Sequence, residues 1–137
     1  MPTAYLTRIV QFAAAHRYFR PEWTVEHNAE VFGACAREHG HGHTYQCTVT
    51  VRGTPDPETG MVMDLGLLDR LLSEEVVQRL DHRHLNLDVP EFARTIPTAE
   101  NIVVQCWRWL EPVIPAGRLT RIVLWETGRN LVEYTGG

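Results

Sequence analysis

Between Tyr45 and Arg52 apolar and polar side chains alternate without a break, with Tyr45, Cys47, Val49 and Val51 on one face and Gln46, Thr48, Thr50 and Arg52 on the other. A period of two predicts a half-buried β-strand. The earlier stretch Ile9-Val-Gln-Phe-Ala-Ala-Ala-His16 also reads as a strand. After the turn cluster Gly53-Thr-Pro-Asp-Pro-Glu-Thr-Gly60, Met61-Val-Met63 predicts a short extended piece before Asp64 caps a helix. From Leu65 to Leu80, Leu68, Leu71, Leu72, Val76 and Leu80 recur at helical spacing, which predicts an amphipathic helix of about four turns. A second helix is expected from Thr98, just after Pro97, to Leu110, its stripe formed by Ala99, Ile102, Val103, Cys106 and Leu110 and its end marked by Pro112. Leu119–Glu126 and Asn130–Thr135 read as two strands joined by a tight turn containing Gly128.

Strand, strand, helix, helix, strand, strand is the order of a single α+β domain spanning residues 1–137. It predicts a four-stranded antiparallel sheet with both helices on one face. In the strand that starts at Leu119, Leu119, Val123 and Trp125 are expected on one side and Ile122 and Leu124 on the other. An isolated two-layer domain would leave one of these apolar faces wet, so cover by assembly is expected.

Composition narrows the function. The chain has 137 residues, 44% hydrophobic and 22% charged, as expected of an ordinary globular protein. A net charge of −4, with arginines such as Arg17, Arg20, Arg79, Arg94 and Arg118 scattered along the chain, gives no basic footprint, so no nucleic-acid partner is expected. A small anionic substrate is compatible with it, because a few gathered arginines suffice. Three cysteines, Cys35, Cys47 and Cys106, are too few and odd in number for a disulfide framework, which predicts a reducing cytoplasm. Cys106 falls on the apolar stripe of a helix and reads as a core thiol. No segment has the character of a leader or the length of a membrane span, so no membrane partner is expected.

The candidate chemistry gathers in Cys35-Ala-Arg-Glu-His-Gly-His41-Gly-His43-Thr-Tyr45. Side chains two apart on an extended chain share a face, so His41 and His43 can direct two imidazoles at one ion. His16, at the end of the first strand, is the candidate third ligand. Three neutral imidazoles suit Zn2+ and leave a coordination position for water or substrate. The plainer reading of a His-x-His pair is a surface or core accident. Asp81 and His82, adjacent at a helix end, are a candidate orienter and proton carrier, or else a histidine placed to favour the helix dipole. Glu126, closing an apolar strand, can accept two parallel hydrogen bonds from an amidine-like edge, of which a 2-amino-4-oxo pterin is one example, or is an ordinary strand-end charge. Glu100 has the same ambiguity as an acidic first-turn residue.

Taken in order, Phe12-Ala-Ala-Ala-His16, Glu26-x-Asn28, Phe32-Gly-x-Cys35, Gly40-His-Gly-His-x-Tyr45, Asp56-Pro-x-Thr-Gly-Met-Val-Met-Asp64, Leu80-Asp-His82, Pro97-Thr-x-Glu-Asn101 and Glu126-Thr127 resemble the 6-pyruvoyltetrahydropterin synthase family, which includes the 6-carboxytetrahydropterin synthases. The resemblance implies a tunnelling fold, in which trimers close their sheets into a barrel and two trimers stack into a homo-hexamer. It implies that His16, His41 and His43 hold zinc, that Cys35 is the proton-abstracting base, and that Asp81 and His82 form its relay, supplied in some arrangements by a neighbouring subunit. Glu126 matches the pterin anchor, with a relay role, and Thr98 and Glu100 match residues lining the pterin pocket. One ambiguity is local. His39 and His41 would be the ligands in a shifted register, as in the carboxy-type enzymes, whereas Tyr45, two residues after His43, favours the later pair.

The implied reaction is zinc-dependent conversion of 7,8-dihydroneopterin triphosphate to 6-pyruvoyltetrahydropterin with loss of triphosphate. Zinc would act as Lewis acid and template, and the Cys35 thiol needs a depressed pKa from nearby positive charge. The alternative product is 6-carboxytetrahydropterin, with release of acetaldehyde and triphosphate, on the route to queuosine. A third reading is a non-catalytic, zinc-stabilised interaction module.

Overall fold

The computed structural model describes residues 1–137. In chain order it comprises β1 (Ala4–His16), α1 (Val25–Phe32), a 3-10 turn (Gly33–Ala36), β2 (His41–Gly53), α2 (Leu65–Leu72), a π turn (Ser73–Val77), α3 (Gln78–Leu80), β3 (Arg83–His84), α4 (Leu85–Asp88), a second 3-10 turn (Pro90–Phe92), α5 (Ala99–Leu110), β4 (Leu119–Thr127) and β5 (Asn130–Tyr134). No helix is long and apolar enough to cross a membrane.

The four expected strands form, but the sheet has five, in the order β3-β1-β2-β4-β5, and β3 lies parallel to β1. The wholly antiparallel four-stranded sheet is thus corrected to a mixed one. Two residues carry no periodicity, so β3 was invisible as a pattern; it is fixed by tertiary contacts. The His82 N–H donates to the Ala13 carbonyl at 2.6 Å, and the Asp81 carboxylate accepts the Ala13 N–H at 2.8 Å, docking the chain on the β1 edge as it leaves α3. α1 is a further element that the sequence pattern did not announce. It is held by the Thr24 hydroxyl, which accepts the His27 N–H at 3.0 Å. Met61–Met63 is not a strand; Asp64 does cap α2, accepting the Leu67 N–H at 2.9 Å.

The helix expected over Leu65–Leu80 is continuous in direction but contains a π turn, for a reason visible in its spacing. Leu68, Leu72, Val76 and Leu80 recur every four residues. At about 100° per residue, each step of four overshoots a turn by about 40°, and three steps would carry Leu80 about 120° away from Leu68. The wider π turn takes up the excess. All four side chains stay 0% exposed against the sheet.

Facing them are Phe12, Tyr45, Cys47, Val49 and Val51 from β1 and β2, with Ile102, Cys106 and Leu110 of α5 completing one continuous core. The bulge between Thr50 and Val51 shifts the β2–β4 register, so Leu119 pairs with Val51 on the core side together with Ile122 and Leu124. Leu119 is therefore corrected to the inner face. Val123 and Trp125 remain on the outer face, opposite Thr48 and Gln46. There they share a surface with Tyr5 and Ile9, which are 64% and 56% exposed, and with Leu131.

Candidate metal and catalytic site

β1 ends and β2 begins at one point: His16 and His41 are the last partners in the antiparallel register. Opposite residues share a face, and His43 lies two further along β2, so three imidazoles leave the same side of the sheet. Gly40 makes this junction close. Its φ is +69°, and a Cβ there would stand 2.5 Å from the His16 carbonyl oxygen. Gly40→Ala is expected to cost about 2 kcal/mol or more, from positive-φ strain plus the clash. It should also weaken binding of a divalent cation at the histidines by moving His41; urea unfolding and a metal titration check both effects.

The donor nitrogens of His16, His41 and His43 all lie within 4.8 Å of one another. His16 is fully buried, and its Nδ1–H donates to the Pro97 carbonyl at 2.7 Å, which leaves the Nε2 lone pair directed at its neighbours. The Nε2 atoms of His16 and His41 are 3.2 Å apart. Two nitrogens about 2.0–2.1 Å from one tetrahedral ion would be separated by about 3.3 Å. Nε2 of His43 is buried without a hydrogen-bond partner, an orphan that a cation would satisfy. Burial is the main cause that pushes His16 down to about 4 and lowers His43 as well, so both are neutral at pH 7, the form that ligates metals. The unfolded chain binds the His16 proton near 6.5, so the stability held above that pH is lost as the pH falls through about 4. The residues fit a divalent cation of the zinc type. His39 is exposed and lies outside the group that could hold an ion, which His16, His41 and His43 form.

Beside the triad stands Glu126, its side chain 13% exposed and Oε1 4.0 Å from His43 Nε2. The Tyr18 hydroxyl donates to Glu126 Oε2 at 3.4 Å, and the Asn130 amide donates to Oε1 at 3.4 Å. Cys35 sits half-buried in the 3-10 turn, and its carbonyl accepts the Tyr18 N–H at 2.8 Å. Burial first, then the Glu126 charge, pushes the Cys35 thiol up, the reverse of the depressed value expected for a base. The side chains of this one chain therefore do not ionise it; a cation on the triad would act in the required direction. Burial also raises Tyr18, followed by the charges of Glu126, Cys35 and Glu100, so its hydroxyl stays protonated; Glu100 itself is exposed in the first turn of α5.

Asp81 and His82 are not joined to this group by any hydrogen bond or ion pair. His82 borders a cavity at the β1–β2 edge that is also lined by Ala13, Ala15, Gly42, His43 and Thr44. His82 Nδ1 is 2.8 Å from Asp81 Oδ2, and its side chain is 83% exposed on a backbone of φ 58°. The Ala13 N–H and then the His82 contact hold the Asp81 carboxyl below the usual range. A strained, exposed imidazole oriented by a fixed carboxylate is presented outward. Thr98 is occupied locally, its hydroxyl capping α5 by accepting the Asn101 N–H at 3.1 Å.

Pattern reading missed Tyr18, the Pro97 carbonyl and the work of two asparagines. Buried Asn28 bonds both the N–H and carbonyl of Arg20, and Asn86 does the same for Arg17, pinning the segment that carries Tyr18. The available signal was spacing: Tyr18 lies two residues beyond His16.

Fold and site together define an α+β domain whose three histidines could hold a cation, with Glu126 beside His43 and the Cys35 turn tied to the Tyr18 segment. The model of the family "6-pyruvoyl tetrahydropterin synthase" matches residues 5–137. The chain is 42% identical over 133 residues to 6-pyruvoyl tetrahydrobiopterin synthase of Homo sapiens, covering 97% of this chain and 92% of that one. It is 37% identical over 105 residues to 6-carboxy-5,6,7,8-tetrahydropterin synthase of Synechocystis, covering 74% of this chain and 78% of that one. The structure of Caenorhabditis elegans 6-pyruvoyl tetrahydropterin synthase superposes with a TM-score of 0.94 at 36% identity, over 100% of this chain and 98% of that one. The chain belongs to the 6-pyruvoyl tetrahydropterin synthase family.

Proposed function

We propose that the protein is a lyase that converts 7,8-dihydroneopterin triphosphate to 6-pyruvoyltetrahydropterin with elimination of triphosphate. The observation that carries this reading is the convergence of three histidine nitrogens, with His16 buried and Glu126 beside His43, in a chain so similar to the pyruvoyl-type synthase over almost its whole length. His16, His41 and His43 hold the metal, which we assign as zinc. Bound zinc supplies Lewis acidity that lowers the pKa of carbon and oxygen acids next to it. Cys35 removes the side-chain proton. Glu126 accepts hydrogen bonds from the pterin edge and holds the ring, an orientation effect, with Thr98 and Glu100 at the pocket margin. Asp81 fixes His82 as proton carrier, and this pair serves the site of a neighbouring chain.

That last assignment needs an oligomer, which the apolar outer face around Tyr5, Ile9, Val123 and Trp125 supports. A barrel of trimers stacked into a homo-hexamer is the assembly we infer. Three free thiols favour a cytoplasmic setting. Five residues separate Cys35 from His41, a spacing that favours the pyruvoyl product over the carboxy product. Product analysis after incubation with the triphosphate tests the proposal: 6-pyruvoyltetrahydropterin and triphosphate are expected, and stoichiometric acetaldehyde would assign the carboxy reaction instead.

A further inference from the structure

Tyr18 joins two parts of the site that the sequence keeps far apart. Its main-chain N–H donates to the Cys35 carbonyl at 2.8 Å, and its hydroxyl donates to Glu126 Oε2 at 3.4 Å. Its ring is wedged edge-on between the His16 ring, at 4.9 Å, and Phe32, at 5.9 Å, with His41 at 6.4 Å. The segment cannot swing freely, because Asn86 holds Arg17 and Asn28 holds Arg20 on either side of it. Only Asn130 otherwise donates to the Glu126 carboxylate, and it does so at the other oxygen.

We propose that Tyr18 is a positioning residue for substrate binding: its hydroxyl fixes the rotation of the Glu126 carboxylate, while its backbone holds the turn that carries Cys35 at a set distance from that carboxylate. This rests on the proposed role of Glu126 as pterin anchor. A carboxylate with one oxygen tied by a neutral donor presents its remaining lone pairs in one direction, which is what recognition of a two-donor pterin edge requires. Without the hydroxyl, Glu126 is held only through Asn130 at its other oxygen, and the ordering left to the substrate lowers affinity. The backbone bond and the ring contacts survive in Tyr18→Phe, so Cys35 and the histidines keep their places.

The test is steady-state kinetics on the full-length protein with 7,8-dihydroneopterin triphosphate, in a cycle of wild type, Tyr18→Phe, Glu126→Gln and the double variant. Tyr18→Phe is expected to raise KM about tenfold with kcat changed less than about threefold, the size of one lost hydrogen bond to a charged group. In the Glu126→Gln background the same substitution should change KM less than about twofold, because the coupled partner is altered. A structural role alone would give equal losses in both backgrounds, and that result, or unchanged kinetics in Tyr18→Phe, overturns the proposal. Wild-type protein that does not turn over the triphosphate would instead overturn the functional reading on which it rests.

Discussion

Cys35→Ala is expected to lower turnover of 7,8-dihydroneopterin triphosphate by about 10³-fold or more, within the range a positioned proton-transfer group contributes, while zinc content and thermal stability stay near wild type. The separation of effects follows from where the thiol sits. Cys35 is half-buried on a 3-10 turn whose fixed contact is its carbonyl with the Tyr18 N–H, a main-chain bond that alanine retains. It is not one of the three residues whose donor atoms converge, so its loss removes no metal ligand. Kinetics beside metal analysis checks this. Activity within tenfold of wild type would remove Cys35 as the base; loss of zinc would make the thiol a ligand.

Removing the metal should abolish turnover and leave the fold. The triad is held by protein contacts: the Pro97 carbonyl fixes His16, β1 and β2 pair from Ala4 opposite Gly53 to His16 opposite His41, and the hydrophobic core on the helical side is built from side chains alone. A chelator-treated sample is therefore expected to keep its circular dichroism and oligomeric size, to melt lower only by the lost binding energy, and to recover activity with one equivalent of zinc per chain. His41→Ala should reproduce the inactive state without rescue. Unfolding on chelation is the behaviour of a structural zinc module, and would favour the non-catalytic reading.

The elements with a clean period were legible in the sequence. Strict alternation over Tyr45–Arg52 placed β2, and the apolar stripes placed α2 and α5 with their Asp64 and Thr98 caps. The site was half legible. His41 and His43 share a face because they are two apart on a strand, and that is local; their meeting with His16 depends on a register that only the folded sheet supplies. What stayed hidden was set by contacts between distant residues. β3 is too short to have a pattern, the Thr50–Val51 bulge moved Leu119 to the core, and Tyr18 became part of the site through bonds to Cys35 and Glu126. The Cys35 thiol shows the same limit: the role of a base calls for a pKa depressed by nearby positive charge, whereas burial and the Glu126 charge push it up, and neither is visible along the chain.

Cobalt substitution tests most directly whether three imidazoles alone bind the catalytic cation beside an unligated thiol. The visible spectrum of the Co2+ protein should saturate at one equivalent per chain, lack a thiolate-to-metal charge-transfer band, and change when 7,8-dihydroneopterin triphosphate is added to the Cys35→Ala variant. A strong sulfur charge-transfer band in the wild type, or a spectrum indifferent to that ligand, would contradict the account.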